Sequence, residues 1–395
     1  MSAARGDTLQ PAVAGVVQAT VGFAGTFALV LTGLRAVGAS EADAASGLLV
    51  ICLAMGVIAT YLALRTRMPV AIAWSTPGAA LLLSTGAVDG GYAAAVGAFL
   101  VCGLLIILTG ASARLAELIA AIPGPIASAM LAGVLLPICI KPAEAMVDLP
   151  GQTAPVLVVW LVLLRFARRW AVPGAIVTTG VVIALTESIS LGGSQLIPEP
   201  TWTTPAFDLG AIVGLGLPLF LVTMASQNIT GMAVLGTFGY RPPLRPILVS
   251  TGGATVLTAP FGVFAINLAA ISAALMAGPE GGPDRERRWV GGIGSAAAYV
   301  VLGLSAGAAA TILHAAPPLL IEAAAGIALL GPLAAALSHA MAGEDHREAA
   351  AVTLVISASG ITAFSVSAPF WGLIAGLAFA LFLRPTKPNV TSAPS

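Results

Sequence analysis

Polar side chains that could bind a ligand stand inside two apolar stretches of the chain. The first, PVAIAWSTPGAALLL at 69–83, places Ser75 and Thr76 directly before a proline. The second, PFGVFAINLAAISAA at 260–274, carries Asn267 at the corresponding place. A hydroxyl cap followed by proline is typical of a helix start, and asparagine is an equally good cap. Each stretch therefore predicts an extended segment that leads into a half-helix, and two such helix starts would favour an anion between them.

Three side-chain amides add hydrogen-bonding capacity inside other apolar runs. Gln227 and Asn228 are adjacent in LVTMASQNITGMAVLG, and Gln18 lies in VVQATVGFAGT. Burying an amide without a partner is costly, so each one predicts either a ligand or a neighbouring polar group. For these amides, as for the hydroxyl and amide residues named above, two interpretations stay open: contacts with a substrate, or ordinary hydrogen bonds between membrane helices.

Aromatic rings flank the same stretches, and one acid lies in an apolar run. Trp74, Phe261 and Phe264 could stack on a planar ring, with Phe23 as a further candidate, or they could fill the core. Glu322 follows a Pro-Pro pair by about one turn. It is either a proton-coupling group or an ordinary residue of a helix N-terminus, where the dipole favours a carboxylate. No metal-ligand cluster and no nucleophile–base pair accompanies them, so the sequence predicts no cofactor, no metal site and no enzyme.

The composition requires membrane helices to position these residues. Of the 395 residues 58% are hydrophobic, and the mean hydropathy is +0.99. Charged residues make up only 9% of the chain, against about 25% in soluble domains. Cys52, Cys102 and Cys139 all lie in apolar runs, which is typical of buried small residues rather than disulfides. The chain is therefore predicted to be an all-α polytopic membrane protein, and its net charge of zero indicates no nucleic-acid partner.

Apolar runs of membrane-crossing length predict fourteen spans, of which the third (69–86) and tenth (260–277) carry the two opening motifs. With the N-terminus inside, fifteen Lys and Arg residues fall on the cytoplasmic side and only Arg35 and Lys141 fall outside. We therefore predict a multi-pass protein of a bacterial-type inner membrane with both termini in the cytoplasm. The N-terminus has no pattern of a removable signal peptide, and 385–395 is predicted to be a disordered tail.

Weak self-similarity relates the two halves of the chain. At an offset of 193 residues, GASARLAELIAAIPGPIASAMLAGVLL from Gly110 lies over GLSAGAAATILHAAPPLLIEAAAGIALL from Gly303. At an offset of 191, Thr76 falls on Asn267. Each offset joins spans that are seven apart. Because seven is odd, the two halves must be inverted relative to each other, an arrangement typical of secondary transporters.

PVAIAWSTPGAALLL, SQNITGMAVLGTFGYRPP and APFGVFAINLAAISAAL resemble the benzoate:proton symporter family, BenE, and the resemblance extends to about Arg384. The family is distantly related to the nucleobase–ascorbate and sulfate-type transporters. This kinship implies a 7+7 inverted repeat, a substrate between the third and tenth spans, and homodimers formed through gate domains. The implied division is a core domain of spans 1–4 (1–120) and 8–11 (210–315), and a gate domain of spans 5–7 (121–209) and 12–14 (316–384).

One departure from these relatives bears on the substrate. In the nucleobase branch the eighth span carries a functional glutamate, and Gln227 stands at that place here. A neutral amide suits an anion better than a carboxylate does. We therefore predict import of a small aromatic carboxylate such as benzoate, held by Ser75, Thr76 and Asn267 with further hydrogen bonds from Gln227 and Asn228. Symport with a proton follows from the resemblance alone. The alternatives are a nucleobase or inorganic-anion transporter of the same fold, or an uncoupled anion channel.

Overall fold

Long apolar helices form most of the chain. The computed structural model describes residues 8–186, 197–270, 272–342, 346–363 and 366–383, so the predicted tail at 385–395 lies outside the described residues. Six of the described helices are long and apolar enough to cross a membrane: α1 (Leu9–Ala36), α2 (Glu41–Thr66), α4 (Gly91–Ala111), α6 (Gly124–Asp148), α9 (Leu209–Thr237) and α14 (Pro318–Ala340).

Shorter helices lie between these and after the last of them. In chain order they are α3 (Thr76–Thr85), α5 (Ala113–Ala120), α7 (Pro150–Phe166), α8 (Ala171–Thr186), α10 (Leu244–Thr258), α11 (Ala273–Ala277), α12 (Val290–Leu304), α13 (Ala306–Ala315), α15 (Arg347–Ala358) and α16 (Ala368–Phe382). In the described ranges, short strands form two antiparallel pairs: β1 (Ile72–Trp74) with β2 (Ile266–Leu268), and β3 (Thr362–Ala363) with β4 (Val366–Ser367).

The third and tenth predicted spans are both strand–helix units. The third consists of β1 followed by α3, and the tenth contains β2 followed by α11. The predicted helical membrane fold, with extended segments in these two spans, is confirmed. Several helices are shorter than the roughly 20 residues that a bilayer requires. The count of fourteen crossings, their 7+7 arrangement and their orientation therefore stay predictions.

Two groups of helices pack mainly among themselves. In one group α12 packs on α1 and α2, and α4 packs on α10; in the other, α6 packs on α14 and α15, and α15 on α16. The α1–α12 contact depends on glycine, because a Cβ at Gly294 would lie 2.0 Å from the carbonyl oxygen of Ala12. Such small-residue contacts let membrane helices approach closely. The first group falls in the proposed core domain and the second in the proposed gate domain, and that division stays a proposal.

Candidate functional site

Two extended segments pair in the interior of the protein. β1 and β2 are antiparallel, with the register Ile72–Leu268, Ala73–Asn267 and Trp74–Ile266. Beyond the strands, the N–H of Ser75 donates to the carbonyl of Ala265 (3.1 Å), and the N–H of Ala269 donates to that of Ala71 (2.9 Å). Backbone at bilayer depth has no water with which to form hydrogen bonds. This pairing is therefore what allows both segments to leave the helical conformation inside an apolar fold.

Of the two hydroxyl residues predicted as the cap, Ser75 is the one that starts helix α3. Its buried hydroxyl accepts the N–H of Gly78 at 3.0 Å, and Pro77 lies in the first turn. Thr223 of α9 donates its Oγ1 hydroxyl to the same oxygen at 2.8 Å. Both bonds are accepted by the Ser75 oxygen, and of the two hydroxyl residues only Thr76 lines a cavity described below.

Asn267 does not cap a helix, so that prediction is wrong. It lies buried in β2, and α11 begins only at Ala273, with Ser272 at the N-cap position. Pairing with β1 keeps the backbone extended at Asn267, which is why the helix starts later. With its amide oriented by the neighbouring groups, the side-chain oxygen accepts the N–H of Ser75 at 2.8 Å and the nitrogen donates to the carbonyl of Leu268 at 2.7 Å. Asn267 thus ties the two segments together.

Side chains from two helices take the place of a third strand beside β2. Alternate backbone N–H groups donate to them: Ile266 to Thr255 Oγ1 (3.0 Å), Leu268 to Asn228 Oδ1 (3.1 Å) and Ala270 to Gln227 Oε1 (3.3 Å). These bonds satisfy backbone groups that would otherwise be buried without a partner. Both amides of the eighth predicted span therefore have a structural role.

A local widening of α9 lets its two adjacent amides reach the same segment. Residues Met224–Ile229 form a π-helical turn. Because a π-turn contains more residues than an α-turn, consecutive side chains are separated by a smaller angle, and Gln227 and Asn228 both bond residues at the end of β2. Turns of this kind are found frequently at functional sites.

Gln18 joins three elements behind the strands. Its amide nitrogen lies 3.0 Å from Ser272 Oγ and 3.4 Å from Tyr299 Oη, and its oxygen accepts the hydroxyl of Ser295 at 2.8 Å. Tyr299 in turn donates to the carbonyl of Ile72 at 2.8 Å. Gln18 is fully buried and lines neither of the cavities described next. Its contacts fit the helix-packing interpretation and hold β1 and the start of α11 in place.

The first cavity has a volume of about 310 Å³ and lies beside β1 and the start of α3. Its aromatic walls are Phe23, Trp74, Trp160 and Tyr299. Trp74 donates its indole N–H to a threonine hydroxyl of α1 at 2.9 Å, and its ring is tilted against Phe23 with centroids 5.8 Å apart. Among the described residues that line this cavity, only the exposed Arg168 carries a formal charge.

The second cavity, of about 410 Å³, lies between α9, α6 and α14. Polar side chains on its wall include Ser128, Thr230 and His339. The two cavities share Thr76, Gln227, Ala270, Leu329 and Pro332, so they meet where the first residue of α3 and the widened turn of α9 face α14. We call this meeting point the junction. A ligand there faces the positive end of α3, a hydroxyl and an amide.

Four residues predicted from the sequence line the cavities: Phe23, Trp74, Thr76 and Gln227. The other predicted polar residues lie behind that surface, where they hold the backbone: Gln18, Ser75, Asn228 and Asn267.

The remaining predicted residues lie elsewhere. Phe264 packs edge-on against Phe99 in the core, with ring centroids 6.3 Å apart, and Phe261 packs against Trp202 at 5.3 Å. The side chain of Glu322 is 28% exposed, and its Oε2 is 3.7 Å from the Nζ of a lysine of α6. None of these three lines either cavity.

Several lining residues were not predicted from the sequence. The sequence indicates Arg168 only as one of the fifteen cytoplasmic cations and assigns His339 no role, although a charged or titratable group so near an apolar run is a usable signal. Tyr299, in SAAAYVVLG, is a polar aromatic residue in the middle of a span. Ser272 and Thr26 carry no signal of their own, because small hydroxyl residues are common in membrane helices.

Comparison with known proteins points to one family. The sequence matches BenE, described as benzoate membrane transport protein, over residues 7–382. It is 37% identical over 369 residues to the inner membrane protein YdcO of Escherichia coli, covering 92% of this chain and 93% of that protein. It is 29% identical over 385 residues to the benzoate membrane transport protein of Acinetobacter baylyi, covering 96% of each. The resemblance that the three motifs indicated is confirmed.

Solved structures of anion transporters have a similar fold. The transmembrane domain of the cyanobacterial bicarbonate transporter BicA aligns with a TM-score of 0.58 at 16% identity, covering 93% of this chain and 97% of that one. Murine SLC26A9 in the inward-facing state aligns with a TM-score of 0.61 at 14% identity, covering 95% of this chain and 68% of that one. At these identities the likeness concerns the fold alone.

Proposed function

Because the chain belongs to the BenE family of membrane transport proteins, we propose that it is a secondary transporter that imports benzoate or a related aromatic carboxylate together with a proton. The observation that carries this proposal is the junction, where two cavities meet at Thr76 and Gln227. Neutral donors, a helix N-terminus and aromatic walls together suit a planar ring that bears one carboxylate.

In the proposed complex the carboxylate lies at the junction. The Thr76 hydroxyl donates to it, and so does the amide nitrogen of Gln227, whose oxygen is occupied by the N–H of Ala270. Hydrogen bonds to an ionised acceptor are stronger than neutral ones, which offsets part of the cost of desolvating the anion. The ring then lies against Phe23 and Trp74 in the first cavity, whose volume is at the low end of the range for ligand sites.

Arg168 supplies the attraction that the neutral donors lack. It lines the first cavity and is exposed, and it forms no ion pair with any residue in the described ranges. A cation on an apolar wall raises the local concentration of an anionic substrate and speeds its arrival. Since Arg168 is among the cations predicted to face the cytoplasm, we assign it this steering role on the cytoplasmic side, with the deeper contacts made by Thr76 and Gln227.

Alternating access would follow from motion between the two proposed domains. Thr76 and Gln227 belong to the proposed core, whereas Trp160 and Leu329, which also line the first cavity, belong to the proposed gate. A substrate held between two such bodies is exposed to one side or the other as they move. In this proposal the protein lies in a bacterial inner membrane with both termini in the cytoplasm, and it dimerises through the gate domains.

Glu322 is the proposed proton-coupling residue. It is the acid that the sequence places within a span, and the structure pairs it with Lys141 outside the cavities. In this role its carboxyl group would gain and lose a proton as the gate moves, so its effect on the substrate would be indirect. Replacement by Gln, described below, tests the assignment.

The decisive experiment is uptake of radiolabelled benzoate by purified protein in proteoliposomes, with and without an inward proton gradient. We expect accumulation that requires the gradient and that excess unlabelled benzoate abolishes. Uracil, sulfate and bicarbonate serve as matched competitors and as labelled substrates in parallel. Absence of uptake of any aromatic acid, or preference for one of these three, would contradict the substrate assignment. Equilibration of benzoate at a rate that does not depend on the proton gradient would contradict proton coupling and support an anion channel.

A further inference from the structure

A groove on the outer surface runs between α2 and α10, separate from the two cavities. It has a volume of about 750 Å³. One helical stripe on each side lines it: Val57, Tyr61 and Arg65 from α2, and Arg245, Val249 and Ser250 from α10. Residues at this spacing lie on one face of a helix. The groove is therefore a continuous feature of two packed helices and not a gap between loops.

Both arginines lie at the same end of this groove, because the two helices are antiparallel. Ser46, near the start of α2, donates its hydroxyl to the carbonyl of Phe261 just beyond the end of α10, at 3.2 Å. Arg65 stands in the last turn of α2 and Arg245 in the first turn of α10. The other end is apolar, with Val57 66% exposed. The groove is thus cationic at one end and apolar along the rest of its length.

Among the described residues, the two guanidinium groups have no anionic partner. Arg65 and Arg245 are exposed, and neither forms an ion pair with any residue whose structure is described. Arg245 also stands at a helix N-terminus, where the dipole disfavours a cation. An anion between the two arginines would offset both their mutual repulsion and this dipole effect.

We infer that the groove binds an anionic phospholipid. The headgroup phosphate lies between Arg65 and Arg245, and an acyl chain follows Val57 and Val249. Basic pockets between membrane helices suit anionic headgroups, and a tyrosine such as Tyr61 is typical of the headgroup level. The apolar stripe selects a lipid over a free phosphate ion, because only the lipid covers it. This site does not depend on the identity of the transported substrate.

Native mass spectrometry of the purified full-length protein tests this site. The delipidated protein is titrated with phosphatidylglycerol and, separately, with phosphatidylcholine of the same acyl chains. We expect tighter binding of phosphatidylglycerol, and an affinity about 30-fold weaker in Arg65→Gln/Arg245→Gln, from about 1 kcal/mol per cation at a membrane surface. Arg114→Gln/Arg165→Gln removes two exposed arginines elsewhere and is the matched control, with wild-type affinity expected.

Three outcomes would overturn the inference. Equal affinities for the two lipids would show that the groove does not select an anionic headgroup. Equal losses of affinity in the two double variants would show that total charge, and not this groove, determines lipid binding. Displacement of the lipid by an equal concentration of sn-glycerol 3-phosphate would indicate an anion site without an acyl groove. The single variants, each with about a fivefold loss expected, keep the test available if the double variant fails to fold.

Discussion

Replacing Gln227 with Glu tests the charge of the junction with a minimal change of shape. The carboxylate can still accept the N–H of Ala270, which Gln227 Oε1 accepts at 3.3 Å, so the end of β2 keeps its partner. A second negative charge would, however, face the substrate carboxylate. At a separation of ~5 Å and an effective dielectric constant of ~20, the repulsion is about 3 kcal/mol. That energy corresponds to an affinity about 150-fold weaker for an anionic substrate.

The assay is the KM for radiolabelled benzoate in proteoliposomes at pH 7.5, with the melting temperature measured in parallel. Gln227→Leu is the control, because it removes the acceptor of the Ala270 N–H without adding charge. Leaving that N–H unsatisfied costs about 1–3 kcal/mol, so we expect a lower melting temperature but a smaller rise in KM. A KM for Gln227→Glu within threefold of wild type, or equal rises in both variants, would refute the electrostatic reasoning.

Three further substitutions test other parts of the site. Arg168→Gln should raise several-fold the KM for benzoate supplied at the cytoplasmic face and weaken the dependence of this KM on ionic strength, while the maximal rate stays unchanged. Arg165→Gln, an exposed neighbour outside the cavity, should behave as wild type, and equal effects of the two substitutions would exclude steering. Tyr299→Phe removes the hydroxyl that bonds the Ile72 carbonyl, so the melting temperature should fall by the equivalent of about 1 kcal/mol, and an unchanged value would remove its positioning role. Glu322→Gln should make benzoate uptake independent of the proton gradient, whereas full gradient stimulation would show that another group carries the proton.

Features that depend on neighbouring residues could be predicted from the sequence. The Ser75 cap is such a feature, because a hydroxyl, a proline and a free backbone N–H within one turn determine a helix start locally. The extended segment before it, PVAIAW, could also be predicted, because it follows a proline and is rich in β-branched and aromatic residues. Thr76 and Gln227 could also be identified, since a polar group in an apolar run must find a partner or a ligand.

Features that depend on distant segments could not be predicted in this way. Asn267 has the residue type of a helix cap, but antiparallel pairing with β1 holds it in a strand. The residues within one turn of Asn267 do not indicate that pairing. The position of Arg168 on the wall of the first cavity depends on how the turn between α7 and α8 comes to face α1 and β1 across that cavity. The π-turn that presents Gln227 and Asn228 together has no signature in local residue preference.

The side chain of Gln227 contacts both the backbone after β2 and the junction, and this has a consequence for transport. Its oxygen holds the N–H of Ala270 at the end of β2, while its nitrogen remains to donate into the junction. A ligand that binds this nitrogen is therefore attached, through a single side chain, to a strand whose other edge is bonded to β1 and so to α3. Strand, widened helix and half-helix must then move together when the substrate is bound. This favours a mechanism in which the proposed core moves as one rigid body past the proposed gate, rather than a local gate formed by α3 or α11 alone.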